Sequence, residues 1–108
     1  NRKIKHYTLD FENIGSWWDR NGNEIDILAY NNMTKKILAG EVKWTNEPLS
    51  LEIVNNLLSK AKFIPFSGQY TFIFISKNGF TTTALERIQE LNAISLDLKE
   101  IEHLFEHA

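Results

Sequence analysis

Two carboxylates and a lysine occur in this chain at positions from which they could meet beside a sheet. Asp26 ends the segment Glu24-Ile25-Asp26, and Glu41 and Lys43 lie within Gly40-Glu41-Val42-Lys43-Trp44. Hard carboxylate oxygens suit Mg²⁺ or Mn²⁺, which keep several water ligands and bridge to phosphate. Such a metal activates a water and neutralises phosphoryl charge, and an adjacent lysine orients the water or stabilises the developing charge. The residues predict metal-dependent phosphodiester chemistry, with Asp26 and Glu41 as metal ligands and Lys43 as a third catalytic group.

A structural ion-pair network is the alternative interpretation of the same residues. Glu41 and Lys43 share a strand face with apolar residues, so both are costly to bury unless they are paired, hydrated or metal-bound. Charges buried in a sheet are also retained for structural specificity alone. Glu24, which has the same strand parity as Asp26, is either a further ligand or a solvated residue.

The elements that must position these residues begin with a hairpin. Asn21-Gly22 favours the positive φ angles of a tight turn, and it separates a strand ending near Arg20 from one beginning at Glu24. A second turn at residues 31–34 leads into a third strand over residues 36–44. We therefore predict a three-stranded antiparallel meander.

A helix and a further strand follow the meander. Ser50 is a candidate N-cap for an apolar stripe that runs from Leu51 to Ala61, and residues 70–76 form a short apolar, β-branched run. A right-handed crossover would make this strand parallel to the third one, so the sheet is predicted to be mixed. Thr83 to Glu86 matches a capping box and predicts a second helix, followed by a short strand over residues 93–98 and a terminal helical turn.

Composition limits the class of protein. The 108 residues are 43% hydrophobic and carry a formal charge of -2, which predicts one domain over residues 1–108 without a global basic field. The chain has no cysteine and no apolar run of about 20 residues, so we expect a cytoplasmic protein without membrane association. Contacts with nucleic acid would have to be local.

Aromatic and basic residues provide candidates for such local contacts. Trp17 and Trp18 must point to opposite faces of a strand, so one is expected to face the core and the other a groove or partner, and Trp44 is a further candidate for base stacking. The lysines at 35, 36, 60 and 62 are either phosphate contacts or ordinary solvated surface.

The order of hairpin, Glu-Ile-Asp strand, Gly-Glu-Val-Lys-Trp strand, helix and apolar strand resembles the PD-(D/E)XK, or restriction-endonuclease-like, superfamily. More narrowly, residues 14–18, 24–26 and 40–44 look like the C-terminal domain of a family of archaeal and bacterial P-loop ATPases. By this resemblance Asp26 takes the place of the motif's aspartate, Glu41 its variable acidic residue and Lys43 its lysine. The superfamily fold begins with a helix, often bearing a glutamate, which is missing from these residues; Glu12 is the nearest candidate.

The resemblance implies an α/β fold, restriction-endonuclease-like, in which helices flank the mixed sheet. It also implies that the chain is the C-terminal part of a longer ATPase, with the upstream ATPase module as its partner and DNA or RNA as the substrate. The chain itself has no Gly-x-x-x-x-Gly-Lys-Ser/Thr phosphate loop, so ATP binding by these residues is not predicted. The leading hypothesis is a nuclease-like domain with Mg²⁺- or Mn²⁺-dependent hydrolysis. The alternative is a catalytically inactive nuclease-fold domain that serves the ATPase as an interaction or regulatory module.

Overall fold

The computed structural model describes residues 2–4, 7–11 and 13–106, and these form a mixed α/β fold. In chain order the elements are β1 (Arg2–Ile4), β2 (Tyr7–Leu9), β3 (Asn13–Trp18), β4 (Glu24–Asn31), β5 (Lys36–Lys43), α1 (Leu51–Ala61), β6 (Gln69–Ser76), α2 (Thr82–Glu90), β7 (Ile94–Asp97) and α3 (Leu98–Glu106).

The main sheet has five strands in the order β3-β4-β5-β6-β7. The β3–β4 and β4–β5 pairs are antiparallel, whereas β5–β6 and β6–β7 are parallel. The predicted meander, crossover helix and parallel strand are therefore confirmed. Among the described residues, those before β3 form the separate antiparallel hairpin β1–β2, and no helix precedes the meander there.

The turn between β3 and β4 is organised by a side chain as well as by glycine. The Asp19 carboxylate accepts hydrogen bonds from the backbone N–H groups of Asn21 and Asn23 at 2.9 and 3.0 Å. Gly22 has φ 85°, a value that L residues with side chains adopt at a cost. The Asn-Gly signal for this hairpin is thus confirmed, and Asp19 supplies the rest of the turn.

Two apolar layers cover the sheet. On one face, α1 and α2 bury Val54, Leu57, Ala84 and Ile88 against strand residues that include Ile37 and Phe74. On the other face, a smaller cluster around Leu38, Ile73 and Ile94 packs with Ile101 of α3. β5 is buried on both faces, as expected for a central strand flanked by helices.

The start of α2 differs from its prediction. Thr81, and not Thr83, is the N-cap, and its hydroxyl accepts the Ala84 N–H at 3.2 Å. Leu49 and Phe80 form an isolated bridge, and the Thr81 N–H donates to the Leu49 carbonyl, which keeps the chain extended up to Thr81. The helix can therefore begin directly after that residue.

Close packing between β5 and β6 requires a glycine beside the candidate site. A Cβ at Gly40 would lie 2.8 Å from the Ile73 carbonyl oxygen and 3.3 Å from the Cβ of Ile27. Glu41 therefore follows a residue whose backbone is held on both sides. Among the described residues, no helix combines the length and the apolar character needed to cross a bilayer.

Candidate metal centre

β4 and β5 stop pairing before β5 ends. Their last paired residues at this end of the sheet are Ile27 and Gly40, although β5 continues to Lys43. Beyond that point the Asp26 Oδ2 atom accepts the Val42 N–H at 2.9 Å. A side-chain carboxylate thus takes the role of a backbone acceptor, and this contact holds Asp26 beside β5.

Glu41 is a buried acid on the face of β5 that α1 covers. The residue is 7% exposed, and the residues two and four positions before it, Ala39 and Ile37, are fully buried. Its Oε1 atom forms an ion pair with the Nζ atom of Lys60, which lies in the last turn of α1. The carboxylate has one charged partner on the helix and Asp26 on the neighbouring strand.

The surroundings of Glu41 raise its pKa from 4.5 to about 7. Burial is the largest cause, because lost hydration disfavours the charged carboxylate. Hydrogen bonding with Asp26 and the negative charge of Asp26 raise the pKa further, whereas the hydrogen bond and charge of Lys60 lower it. The structure therefore brings Asp26 and Glu41 together, and Lys60 only partly offsets the cost of ionising Glu41.

Lys43 also lies at this site, but its ion-pair partner is neither Asp26 nor Glu41. Its Nζ atom is 3.7 Å from Glu47 Oε2, and the two side chains are 24% and 82% exposed. An ion pair with so exposed a partner contributes little free energy, so the ammonium group can leave Glu47 at low cost. The weak pairing with Glu47 therefore does not fix the position of the Lys43 ammonium group.

A cavity of about 320 Å³ connects these groups. The end of β5 contributes Glu41 and Lys43 to its wall, and α1 contributes Asn56 and Lys60. Asn56 and Lys60 are four residues apart, so they project from the same side of the helix. The volume is at the lower end of the range for small-ligand pockets. Asp26 is not part of the lining and reaches Glu41 from β4.

Lys60 is the functional residue whose role sequence reasoning missed. The sequence marks it only as a phosphate contact or solvated lysine, yet it is the direct partner of Glu41. The signal available in the sequence is helical spacing. Lys60 follows Asn56 by four residues and Ile53 by seven, so all three lie on one side of α1, next to the buried Leu57. Because α1 packs on the face of β5 that carries Glu41, this side of the helix lies close to Glu41.

Ser76 is a second residue that the sequence did not single out. It pairs in register with Lys43 across the parallel β5–β6 ladder. Its hydroxyl is buried and has no hydrogen-bond partner within the described part of the chain. The strand beside the candidate site therefore carries an unsatisfied polar atom, which is uncommon in folded proteins.

The remaining candidates are divided between core and surface. Trp17 packs against the larger core cluster while Trp18 is 70% exposed, which confirms the predicted division. Trp44 is 50% exposed and lines the cavity. Glu24 is exposed and pairs in register with Trp18, and it is not among the causes of the Glu41 pKa shift. Glu12 lies outside the described residues.

The donor chemistry of the pair fits a hard divalent cation. Mg²⁺ is commonly bound through one or two carboxylates, with water and phosphate oxygens as the other ligands. Asp26 and Glu41 supply two such carboxylates, and a cation would offset both the burial and the repulsion by Asp26 that raise the pKa of Glu41. Within the described residues there is no group of three or more His, Cys, Asp or Glu side chains that could hold a metal ion.

Comparison with known proteins places the N-terminal part of the chain in a family. The family model of DUF234, described as archaea bacterial proteins of unknown function, matches residues 1–62. The chain belongs to the DUF234 family. The matched segment contains Asp26, Glu41, Lys43 and Lys60, whereas β6 and Ser76 lie beyond it.

A relative of this DUF234 chain comes from Methanocaldococcus jannaschii. It is named Uncharacterized protein MJECL04 and is 48% identical over 42 residues, which is 39% of this chain. The alignment covers 9% of that relative, so the chain spans less than a tenth of its length. No solved structure matches the chain.

Proposed function

We propose that this chain is a PD-(D/E)XK, restriction-endonuclease-like domain that hydrolyses phosphodiester bonds of nucleic acid with Mg²⁺ or Mn²⁺ held by Asp26 and Glu41. The observation that carries the proposal is the meeting of these carboxylates, one of them buried, beside a cavity that also contains Lys43 and Lys60. Opposite charges at one concave site suit a metal-bridged phosphate.

Each residue has a distinct task in this proposal. Asp26 and Glu41 bind the cation, which supplies an activated water and charge neutralisation at the phosphoryl group. Lys43 orients the water or stabilises the developing negative charge, because its exposed pairing with Glu47 is easily exchanged for a phosphate oxygen. Lys60 lowers the pKa of Glu41 and so favours the ionised form that a cation requires.

A second candidate function is favoured by the ion pairs themselves. Both lysines of the cavity already have carboxylate partners, Glu41 for Lys60 and Glu47 for Lys43. A site satisfied in this way suits a nuclease fold retained as an interaction or regulatory module without turnover. In either case we propose that the domain is the C-terminal part of a P-loop ATPase and serves that ATPase module.

Calorimetric titration with Mn²⁺ at pH 8 tests the metal centre. We expect Asp26→Asn and Glu41→Gln each to weaken binding at least about tenfold, since each removes one of two anionic ligands. Glu47→Gln is the matched control, because it removes an exposed carboxylate at the rim and should leave the affinity unchanged. Equal affinity in the wild type, Asp26→Asn and Glu41→Gln would rule out this metal site.

A cleavage assay on single- and double-stranded DNA and on RNA then separates the two functions. Metal-dependent cleavage that is lost in Asp26→Asn and Lys43→Gln, with the fold retained by circular dichroism, would support the nuclease. Metal binding without cleavage of any substrate would favour the inactive module. Cleavage that persists in both variants would contradict the assignment of these residues.

A further inference from the structure

An aromatic and basic surface lies at the opposite end of the β4–β5 pair from the carboxylates. It comprises Tyr30, Lys35, Phe66 and Tyr70 together with Lys36, and we name it the distal surface. Lys36 begins β5 at the same end of the pair, but it projects from the opposite face of the sheet to Tyr30. The rings of Tyr30 and Phe66 are stacked, with centroids 4.8 Å apart and an interplanar angle of 18°. The Lys35 Nζ atom is 6.0 Å from the centroid of the Tyr30 ring. Phe66 is 39% exposed, although one face of its ring lies against Tyr30.

The backbone holds the distal surface in place. The Lys35 N–H donates to the Asn31 carbonyl at 2.9 Å, and the Lys35 carbonyl accepts the Gln69 N–H at 2.9 Å. Lys35 has φ 58°, a left-handed conformation that is costly for a residue with a side chain. The Tyr70 hydroxyl donates to the Phe66 carbonyl at 3.2 Å. The lysine and the stacked ring are therefore positioned before any ligand arrives.

The charge around this surface differs from that of the whole chain. The formal net charge is -2, yet residues 27–40 and 53–85 contain no Asp or Glu. These segments supply all five residues of the distal surface, including the exposed lysines Lys35 and Lys36. An acidic residue placed nearby is Asp10, whose backbone carbonyl accepts the Asn31 Nδ2–H at 2.9 Å. The five residues of the distal surface thus include two lysines and no carboxylate, on a chain with a net charge of -2.

We propose that the distal surface binds single-stranded nucleic acid by stacking a base on Phe66 while Lys35 and Lys36 contact phosphates. Aromatic faces next to lysines match the alternation of bases and phosphates along a strand. Only an unpaired strand exposes base faces for stacking, so the surface selects single strands over duplexes. This binding does not involve Asp26 or Glu41, and it requires no metal.

Fluorescence anisotropy with a labelled 15-nucleotide oligo-dT, in EDTA and low salt, tests the proposal. We expect Lys35→Gln/Lys36→Gln to weaken binding about tenfold and to reduce the slope of log affinity against log salt by about 1.4. Phe66→Leu keeps an apolar residue and removes the stacking ring, and we expect it to weaken binding about fivefold with an unchanged salt slope. The control Lys77→Gln/Lys99→Gln makes the same charge change at two exposed lysines elsewhere and should leave affinity within about twofold.

The competing ligand class is an acidic protein segment, and the same assay addresses it. Competition by poly-glutamate as effective as that by unlabelled oligo-dT would overturn the proposal, because stacking would then add nothing. Equal loss in the control pair, wild-type affinity in Phe66→Leu, or equal binding of a 15-base-pair duplex would each overturn it as well. Circular dichroism and thermal unfolding of every variant show that a loss of binding is not a loss of fold. Retained Mn²⁺ binding in the distal variants would separate this surface from the metal centre.

Discussion

The two ends of the β4–β5 pair differ in how their polar groups are satisfied. At the distal end, the side chain of Asn31 has hydrogen-bond partners in the folded chain. At the other end, the carboxylates of Asp26 and Glu41 lie near each other, and the charge of Lys60 offsets their repulsion only in part. The Asn31 side chain donates to the Asp10 carbonyl and accepts the N–H groups of Met33 and Thr34 at 3.0 and 3.1 Å. At the opposite end, Glu41 is buried with a raised pKa although Lys60 pairs with it.

This difference separates a part of the fold built for stability from a part that retains an electrostatic cost. A hydrogen-bonded turn gains from each contact that it makes. A buried acid whose pKa is raised to about 7 loses stability when it ionises, and such groups concentrate at functional sites. The proposed metal centre depends on this retained electrostatic cost.

The largest expected effect concerns the close packing between Gly68 and Lys35 at the distal end. In Gly68→Ala the new methyl group would overlap the Lys35 carbonyl oxygen, and we expect a loss of about 3 kcal/mol in the free energy of unfolding. Urea denaturation measures it. Gly15→Ala is the matched control, because among the described residues no atom outside its chain neighbours lies within 4 Å of the added Cβ, and it should stay close to the wild type. A loss in Gly68→Ala no larger than in the control would show that this end is not rigid.

The next effect concerns the electrostatic cost at Glu41. Its pKa in the fold, about 7, is above the ordinary value of 4.5, so the group favours the fold at low pH and loses this contribution as pH rises from about 4.5 to 7. Glu41→Gln cannot ionise and should be about 2 kcal/mol more stable than the wild type at pH 8 without metal, with little difference at pH 4. The raised pKa of Glu41 already includes the opposing effect of Lys60. The measurement is urea unfolding across this pH range in EDTA.

Glu47→Gln is the control for that series, because its side chain is 82% exposed and its pairing with Lys43 is weak. Its stability should follow the wild type at each pH. If Glu41→Gln were less stable than the wild type at pH 8, the Lys60–Glu41 pair would be a net stabilising contact, and the contrast between the two ends would fail.

The smallest effect distinguishes the two lysines. Lys60→Gln removes the charge that favours ionised Glu41. It should lower the free energy of unfolding by about 1 kcal/mol at pH 8 and should raise the pKa of Glu41. Lys43→Gln should change stability by less than about 0.5 kcal/mol and leave that pKa unchanged. NMR titration of the Glu41 carboxyl carbon and urea unfolding measure both quantities. A larger shift in Lys43→Gln than in Lys60→Gln would reverse the roles given to them.

The meander and the crossover could be predicted because their signals are local. Asn21-Gly22 marks the hairpin, the apolar stripe after Ser50 marks α1, and β-branched and aromatic residues mark β6. The five-stranded mixed sheet follows from joining these elements by the usual right-handed connection. The narrower restriction-endonuclease-like identity remains a prediction, since it depends on three-dimensional likeness beyond this topology.

The features that could not be predicted from the sequence depend on how far flexible side chains extend and on local geometry. The pairing of Lys60 with Glu41 depends on how α1 lies against β5, and a flexible side chain gives no periodic signal of its partner. The meeting of Asp26 and Glu41 was predicted from strand order, whereas the pairing of Lys43 with Glu47 was not. The hairpin β1–β2 consists of strands of three residues, which are too short for a periodicity to be recognised.

The bond from the Val42 amide to Asp26 gives the metal centre a built-in reporter. Asp26 uses Oδ2 for this bond, and a cation bound to the same carboxylate would withdraw electron density from that oxygen and weaken it as an acceptor. The hydrogen-exchange rate of a single amide proton should therefore rise when the site is occupied, whether or not any substrate is cleaved. Occupancy of the centre can thus be followed in the backbone spectrum without any substrate.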